Sequence, residues 1–348
     1  MKQANSQTTG IPHDVRQGIS QDVAHVIVDQ LYLHFSDVHF YERVTRSFTV
    51  TNVSNNIVKF YFKPHPKSGR YARRWLKVEP LCGVLKKGEM CEINVEVLVD
   101  SLCAPSFNGG IDEGRDVLIL HPRKGKDIYI SIDIDYRYSC FGSSLEALVR
   151  HKTPIGRMNK QKLLALEQDP QKHAELMVPF EIPTELWILI DCMLRKGIDV
   201  EGLFVKDGCL MDIESIRDAL DFKTPDTQIE ASPFSVAQCL LLFLKALREP
   251  VIPSAFFFKA IESATSYAQA KKILQDIPKV HQDTFIYLVA FLHEVAKLSR
   301  YNGLNIDLLA AIFSSVMLRP SQDTQMTSAI EEGRCAFLSL FISDPFDV

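Results

Sequence analysis

The segment Gly83–Glu89, GVLKKGE, has the glycine spacing of a phosphate-binding loop. In such a loop a lysine follows the second glycine directly, because its ammonium group must reach the phosphates. Here Glu89 follows Gly88, and its carboxylate would repel a phosphate. The segment also lies between two strand-like runs, with no helix-like run after it. It is therefore predicted to be a hairpin turn and not a nucleotide site.

The other candidates for chemistry have no catalytic or metal-ligand spacing. Histidine, aspartate and glutamate residues are scattered, and neither a G-x-S-x-G motif nor a Cys/His signature occurs. The eight cysteines form no CxxC pair and no disulfide framework. They are expected to be free, mostly buried thiols of a reducing compartment. The sequence thus predicts no catalytic residue, no metal site and no cofactor.

A basic cluster interleaved with aromatic residues runs from His65 to Trp75. This composition is compatible with contact to a phosphate or an acidic lipid. The interpretation we favour is a solvated loop with Trp75 turned inward.

The corner Gly202–Gly208, GLFVKDG, joins two helix-like segments. A tight corner between helices is a place where a protein presents a side chain to a partner. The side chain at the tip is Val205, with Lys206 beside it. Valine supplies no charge and no hydrogen bond.

Length and composition bound the class of protein that positions these segments. The chain has 348 residues, of which 46% are hydrophobic and 24% charged, and this length favours two domains. The net charge of −4 provides no global basic field for nucleic acid. No apolar run reaches the roughly 18 residues of a spanning helix, and the polar start lacks a signal peptide's apolar core. These features predict a soluble cytoplasmic protein that binds no nucleic acid.

The first half of the chain alternates apolar and polar residues between about Val23 and Tyr138. The clearest runs place the following residues on one face each: Val58, Phe60 and Phe62; Ile93, Val95, Val97 and Val99; Ile128, Ile130, Ile132 and Ile134. This period of two, with turn formers between the runs, predicts roughly six to eight strands of an immunoglobulin-like β-sandwich. The segment SLCAPSFNGGIDEGRD is expected to be a long loop.

The second half has helical periodicity. SSLEALVRH predicts a short helix with a serine N-cap, and the polar stretch after it is expected to be half-ordered. From Ile182 onward apolar residues recur at three- and four-residue steps, and the segment beginning at Ser235 is predicted to be a central buried helix. The chain is thus expected to be multi-domain, with a flexible tail (1–22), a sandwich (23–140), a connecting helix and linker (141–177) and an all-α domain (178–348).

Four segments of the helical half resemble, in order, the motifs of the RhoGAP family. GLFVKDG resembles its Gly–Ile–Phe–Arg–x–x–Gly loop, and VAQCLLLFLKALREPVIP, IPKVHQDTFIYL and LLAAIFSSVMLRP are similar to its next three motifs. In that family the loop's arginine neutralises charge that develops on the transferred phosphoryl group. Here Val205 stands at the arginine position, Leu241 at the helix lysine and Val316 at the asparagine after Gly–Pro. The resemblance implies a RhoGAP-like scaffold that has lost catalysis, with these three replacements on one working face.

The chain from about Asp29 to Leu340 resembles the C-terminal half of the type II inositol polyphosphate 5-phosphatases, the OCRL-like family. RSFTVTNVSNNIVKFYFKP and RRWLKVEPLCGVLKKGE resemble the body of the family's ASH domain, which is an immunoglobulin-like sandwich. Neither phosphatase motif, Trp–x–Gly–Asp–x–Asn or Pro–Ala–Trp–Cys–Asp–Arg, occurs. The resemblance implies either a fragment of a phosphatidylinositol 4,5-bisphosphate 5-phosphatase or a chain that lacks the catalytic half.

The same resemblance implies a membrane-traffic adaptor. The ASH domain would bind Rab GTPases, by position through Tyr129 and the helix with Leu145, Leu148 and Val149. The helical domain would bind Rac- or Cdc42-type GTPases, and Trp187 would meet Phe/His peptides of endocytic adaptors. These partners would recruit the protein to endosomes, the Golgi and endocytic sites of the plasma membrane. The open alternatives are an ordinary outward strand residue for Tyr129 and core packing for Trp187.

The linker segment LLALE fits the pattern of peptides that bind the clathrin terminal domain, and it lies where the OCRL-like family carries a clathrin box. Such a peptide must be extended and accessible. The predicted box comprises Leu163, Leu164, Ala165, Leu166 and Glu167. The alternative is a docked helix whose leucines belong to the core.

Two other functions stay open at this stage. The helical domain would be an active GTPase activator if Lys206, Arg217 or Arg248 replaced the missing arginine. The chain would instead be a scaffold that binds no GTPase if the resemblance extends to the fold alone.

Overall fold

The computed structural model describes residues 23–66, 68–224, 227–321 and 324–344. The predicted tail, residues 1–22, lies outside the described residues. Within the described residues a β-sandwich is followed by a helical domain, as the two periodicities predict.

The sandwich consists of two sheets. The four-stranded sheet has the order β1–β3–β7–β5, with β1 Val26–Val28, β3 Arg43–Asn52, β7 Met90–Leu98 and β5 Leu76–Glu79. The five-stranded sheet has the order β2–β9–β8–β4–β6, with β2 Tyr32–Val38, β9 Ile128–Tyr136, β8 Arg115–Pro122, β4 Val58–Lys63 and β6 Cys82–Leu85. All ladders are antiparallel except that of β2 with β9, which is parallel.

The predicted apolar faces form the core between the sheets, because alternate side chains of a strand point to the same side. Phe60 and Phe62 of β4 are buried, as are Ile93, Val95 and Val97 of β7. Trp75 is buried and its indole N–H donates to the Asp112 carboxylate at 2.9 Å, as the solvated-loop interpretation of the basic cluster predicted.

The predicted long loop SLCAPSFNGGIDEGRD contains a helix that the sequence analysis missed, α1 Ala104–Asn108. A proline in the first turn favours this start. Phe107 is buried with its ring 6.1 Å from Trp75, and the Asn108 amide donates to the Ser139 carbonyl at 2.7 Å. The helix therefore closes the end of the sandwich that faces the connector.

The connector is helical where a half-ordered linker was expected. It contains α2 Leu145–Leu148, a 3-10 turn Ile155–Arg157 and α3 Lys160–Gln168. The predicted serine cap is Ser144, whose hydroxyl accepts from the Ala147 N–H at 3.2 Å.

The helical domain begins with α4 Thr184–Lys196. The remaining helices are α5 Leu210–Asp221, α6 Pro233–Ala246, α7 Phe257–Ser263, α8 Tyr267–Asp276, α9 Lys279–Lys297, α10 Ser299–Asn302, α11 Ile306–Met317 and α12 Ser328–Ser343, and a 3-10 turn, Ser254–Phe256, precedes α7. Helix α6 is buried on most of its surface, as predicted. Its cap is Ser232 rather than Ser235, because the Ser232 hydroxyl accepts from the Ser235 N–H at 3.1 Å.

Candidate functional site

The corner Gly202–Gly208, called the finger loop below, is held in one conformation by Phe204. This residue has a positive φ of 63°, which side chains other than glycine rarely adopt. Its ring lies edge-on to Phe313 at 4.8 Å and to Phe291 at 6.4 Å, and the side chain is buried. Anchoring of Phe204 between α9 and α11 turns the next residue outward, and Val205 is 62% exposed.

The second half of the finger loop is fixed to α6. The Gly208 N–H donates to the Gln238 side-chain oxygen at 2.7 Å, and the Cys209 N–H donates to the Ser235 hydroxyl at 3.0 Å. A Cβ at Gly208 would lie 2.4 Å from the Ser235 Cα, so only glycine fits this approach. The loop is therefore fixed in position, and the side chain exposed at its tip, that of Val205, is purely aliphatic.

The cation next to the tip is already engaged. The Lys206 ammonium lies 5.6 Å from the centre of the Phe234 ring, on the first turn of α6. This is a cation–π distance. Lysine also lacks the planar fork with which arginine binds a phosphoryl group at two points.

The other two replaced positions differ in exposure. Leu241 is partly buried and lies one helical turn after Gln238, which holds the finger loop. Val316 is 6% exposed and lies one turn after Phe313. The three replacements were predicted to lie on one working face; Val205 is exposed, whereas Val316 is buried. Its helix α11 is apolar at three- and four-residue steps, which places Val316 on the core side with Phe313.

Both arginines considered as substitutes for the missing finger lie between the two domains. Arg217 is buried, and its guanidinium donates to the Phe40 carbonyl at 2.9 Å and pairs with Glu42 at 3.3 Å. Arg248 donates from its backbone to the Ser143 carbonyl and from its side chain to the Glu167 carbonyl at 3.1 Å. These two side chains hold the sandwich and connector against the helical domain.

An aromatic contact and a buried carboxylate complete this boundary, called the seam below. Phe141 stacks on Phe40 at 4.5 Å and meets Phe243 of α6 edge-on at 5.8 Å. The Asp221 carboxylate accepts from the Ser139 hydroxyl at 3.0 Å and from the Cys140 N–H at 2.7 Å. Burial raises the pKa of Asp221 to about 6.

The predicted Rab-contact residues separate into one exposed and three buried side chains. Tyr129 is 58% exposed on the outer face of the five-stranded sheet. Leu145, Leu148 and Val149 are buried and cannot meet a partner directly. The reason is that α2 lies inside the seam, where Glu146 pairs with His281 of α9 at 3.1 Å.

Strand β9 is an interior strand of the five-stranded sheet. It pairs with β8 on one side, and its parallel ladder with β2 begins at the pair Tyr32 and Ser131. The outer face near Tyr129 includes Tyr32, which is 57% exposed, and Val117, which is 37% exposed. Sequence reasoning missed both, because strand pairing decides which residues surround Tyr129.

The predicted clathrin box lies in α3 and is not extended. Leu163 and Leu166 are buried, and so is Glu167, which accepts from the Ser144 N–H at 3.1 Å. Burial raises the pKa of this carboxyl above its usual range. Leu164 and Ala165 are half-buried. The expectation of an accessible segment is wrong, because leucines at helical spacing pack into the seam as the docked-helix alternative stated.

Trp187 is surface-accessible, at 48% exposure, on the first turns of α4. It borders a groove of about 470 Å³ with Pro179, Phe180, Glu181, Ile182 and Thr184. Core packing, the alternative for this residue, does not describe its position.

No helix among the described residues has the length and apolar character needed to cross a membrane. In the same part of the chain, no group of three or more histidine, cysteine, aspartate or glutamate side chains is placed to hold a metal ion. All eight cysteines are free, and Cys82 and Cys209 are exposed.

Comparison with known families accounts for both halves of this arrangement. Residues 28–136 match the family described as inositol polyphosphate 5-phosphatase OCRL-like, ASH domain, and residues 183–322 match the RhoGAP domain. The chain combines an OCRL-like ASH domain with a RhoGAP domain. No phosphatase domain is found in it.

Curated relatives match most or part of the chain. The chain is 34% identical over 316 residues to the mouse type II inositol 1,4,5-trisphosphate 5-phosphatase, an alignment that covers 89% of this chain and 32% of that protein. Human Rho GTPase-activating protein 24 is 26% identical over 196 residues, which covers 54% of this chain and 23% of that protein. The chain thus spans about a third or less of the length of these relatives.

Solved structures are similar to the single domains. Human Rho GTPase-activating protein 15 matches 47% of this chain and 81% of its own, with 21% identity and a TM-score of 0.43. An ASH/PapD-like domain of human CEP192 matches 37% of this chain and 97% of its own, with 14% identity and a TM-score of 0.24.

Proposed function

We propose that this chain is a GTPase-binding adaptor whose RhoGAP domain does not accelerate GTP hydrolysis. The observation that carries the proposal is the finger loop, which is rigidly presented yet has an exposed valine at its tip. The loop's anchors, Phe204 and Gly208, are those of a surface built to meet a partner. The group at the tip cannot stabilise transition-state charge.

The large rate effect of an arginine finger supports the proposal that this domain does not accelerate GTP hydrolysis. An arginine finger is worth roughly 10³–10⁵ in rate. Val205 has no charge, the Lys206 ammonium lies over Phe234, and Arg217 and Arg248 are engaged in the seam. Moving either arginine would leave carbonyls of the seam without a donor, so the two arginines considered as substitutes are not free to serve the loop.

The ASH domain is proposed to bind GTP-loaded Rab GTPases through the outer sheet face around Tyr129. The exposed rings of Tyr129 and Tyr32 support this surface, since tyrosines are frequent anchors of protein interfaces. Leu145, Leu148 and Val149 are part of the seam and not of the contact.

Phe/His peptides of endocytic adaptors are proposed to occupy the groove beside Trp187. The parent protein is proposed to be a phosphoinositide 5-phosphatase that these partners recruit to endosomes, the Golgi and endocytic sites.

Clathrin binding through LLALE remains a separate prediction. It requires α3 to leave the seam, because Leu163 and Leu166 are buried there.

Single-turnover hydrolysis of GTP by Rac- and Cdc42-type proteins tests the central proposal. With this chain in excess the rate should stay near the intrinsic rate, and human Rho GTPase-activating protein 24 serves as the positive control. Acceleration above about 100-fold, well short of a normal finger, would overturn inertness.

Binding is measured separately from hydrolysis. Pulldown with GTP- and GDP-loaded Rac, Cdc42 and Rab proteins should show a preference for the GTP forms. Absence of any nucleotide-dependent capture would support the scaffold that binds no GTPase.

A further inference from the structure

The end of the sandwich away from the RhoGAP domain carries six exposed cations. They are Lys59, Lys86, Lys87, Arg123, Lys124 and Lys126. They belong to the start of β4, the β6–β7 turn and the β8–β9 turn, and strand direction places all three at this end. None of the six has an ion pair within 4 Å among the residues that the structure describes. Two carboxylates lie nearby. Asp127 is already paired with Lys63 and His121, and the exposed Glu89 of the β6–β7 turn accepts from the Lys86 N–H at 2.7 Å and offsets one of the six charges.

This end, called the outer end below, is a rigid surface and not a set of loose loops. The Asn52 side chain is buried and donates to the carbonyls of Asn56, Leu85 and Lys86 at 2.8–3.1 Å, which ties the β3–β4 and β6–β7 turns together. The Ala24 N–H donates to the Lys124 carbonyl, which joins the third turn to the start of the sandwich.

Aliphatic side chains are exposed among these cations. Ile57 is 64% exposed and Val53 is 53% exposed, both in the β3–β4 turn. Val84 is 56% exposed on β6, directly opposite Lys59 in the ladder. These three aliphatic side chains therefore lie in solvent next to the cations of this end.

We infer that the outer end docks directly on an anionic lipid bilayer. Clusters of four to eight lysines and arginines attract acidic lipids, each contributing about fivefold to binding. The exposed aliphatic residues suit the boundary between headgroups and acyl chains. An acidic peptide would use the charges but would leave Ile57 and Val53 in water. Docking this end leaves the RhoGAP domain on the far side of the sandwich, turned to the cytoplasmic partners.

Co-sedimentation with vesicles tests the inference, using phosphatidylcholine alone and phosphatidylcholine mixed with phosphatidylserine. The wild-type chain should sediment with the mixed vesicles only, and this capture should fall as salt is raised. Neutralising Lys86, Lys87 and Lys126 to Gln should weaken capture by about a hundredfold. Replacing Ile57 and Val53 by Ser should weaken it as well, which a purely electrostatic anion site would not show.

The matched control neutralises Arg70, Arg73 and Arg74 to Gln, in the exposed loop at the other end of the sandwich. This variant has the same change in net charge and should bind vesicles as the wild type does. Equal loss in both charge variants, or equal sedimentation of the wild type with both kinds of vesicle, would overturn the inference. Thermal melting confirms that each variant is folded. Binding of GTPases is measured separately, in the absence of vesicles. A negative result for vesicle binding therefore leaves the proposed function unaffected.

Discussion

The seam and the finger loop use the basic residues of one RhoGAP domain in opposite ways. At the seam, Arg217 and Arg248 donate to carbonyls of the sandwich and the connector, and both guanidiniums have several partners. At the finger loop the tip is Val205, and Lys206 lies over an aromatic ring. These two arginines therefore hold the domains together, and the tip of the loop carries no arginine.

The residue at the tip of the loop and the residues that anchor the loop make different contacts. The anchors of the loop, Phe204 and Gly208, contribute to packing, so their removal would destabilise the domain. Val205 contacts mainly solvent, so its identity is free to change without cost to the fold. Variants of the two regions should consequently differ in kind, with large losses of stability at the seam and small ones at the tip.

The largest loss of stability is expected for the double change Leu163→Ala and Leu166→Ala in α3. Each removes a buried leucine from the seam, and each loss costs about 2–5 kcal/mol. Thermal melting should show a drop of many degrees, whereas Gln161→Ala on the exposed side of the same helix should leave melting unchanged. Unchanged melting of the double variant together with loss of clathrin capture would instead establish an accessible clathrin box.

The next largest loss of stability is expected for Arg217→Ala, which removes a buried arginine from the seam. It leaves the Phe40 carbonyl and the Glu42 carboxylate without their cation, which is expected to cost about 2–4 kcal/mol. Denaturant titration measures the loss. The control is Arg195→Ala, since the exposed pair of Arg195 with Asp191 is worth at most about 1 kcal/mol. Equal effects of the two changes would show that Arg217 does not hold the domains together.

Asp221 gives the seam a pH dependence. Its folded-state pKa is about 6, above the unfolded value near 4, so the folded state binds an additional proton between these values. The stability from the protonated carboxyl is complete below about pH 4 and is lost as the pH rises through about 6. Asp221→Asn keeps a neutral acceptor for Ser139 and Cys140 at every pH.

The difference in free energy of unfolding between Asp221→Asn and wild type should therefore grow in favour of the variant between pH 5 and 7.5, by on the order of 1 kcal/mol. Subtracting the wild-type free energy of unfolding at each pH removes the contribution of groups that titrate in both proteins. Asp307→Asn, at an exposed helix start, is the control. A pH-independent difference would place the Asp221 pKa outside this range.

The sequence predicted the fold class because two kinds of periodicity are local. Val58, Phe60 and Phe62 alternate within one strand, and the apolar steps of α9 lie within one helix, so neither prediction needs knowledge of the rest of the chain. The missed helix α1 is different. Its five residues are followed by Gly109 and Gly110, which favour a turn, and tertiary contacts of Phe107 with Trp75 and of Asn108 with Ser139 stabilise the helix there.

Site predictions failed where exposure depends on the arrangement of the domains. Leu145, Leu148 and the leucines of LLALE have the types and spacing of contact residues, but these properties are shared with core residues. Their burial follows from the packing of α2 beside α9 and of α3 beside α1 and α2, and no local pattern encodes this arrangement. Val205 and Trp187 are both exposed, and both have a local signal: Val205 lies midway between the two glycines of a corner, and Trp187 lies near the start of a helix.

The smallest effect on stability, and the sharpest test of the tip, is expected for Val205→Arg. Because Val205 is 62% exposed, the arginine should remain in solvent and change the free energy of unfolding by no more than about 0.5 kcal/mol. Single-turnover hydrolysis should still show less than about 100-fold acceleration, far below the acceleration that a working arginine finger gives. The reason is that Leu241 continues to supply no polar group and Val316 is buried in the core, and an unsupported guanidinium is not preorganised for the transition state. Lys206→Arg, one residue from the tip, is the matched control for added guanidinium alone. Full restoration by Val205→Arg would mean that a single side chain separates this adaptor from an active GTPase-activating protein, and that Leu241 and Val316 have no part in the loss.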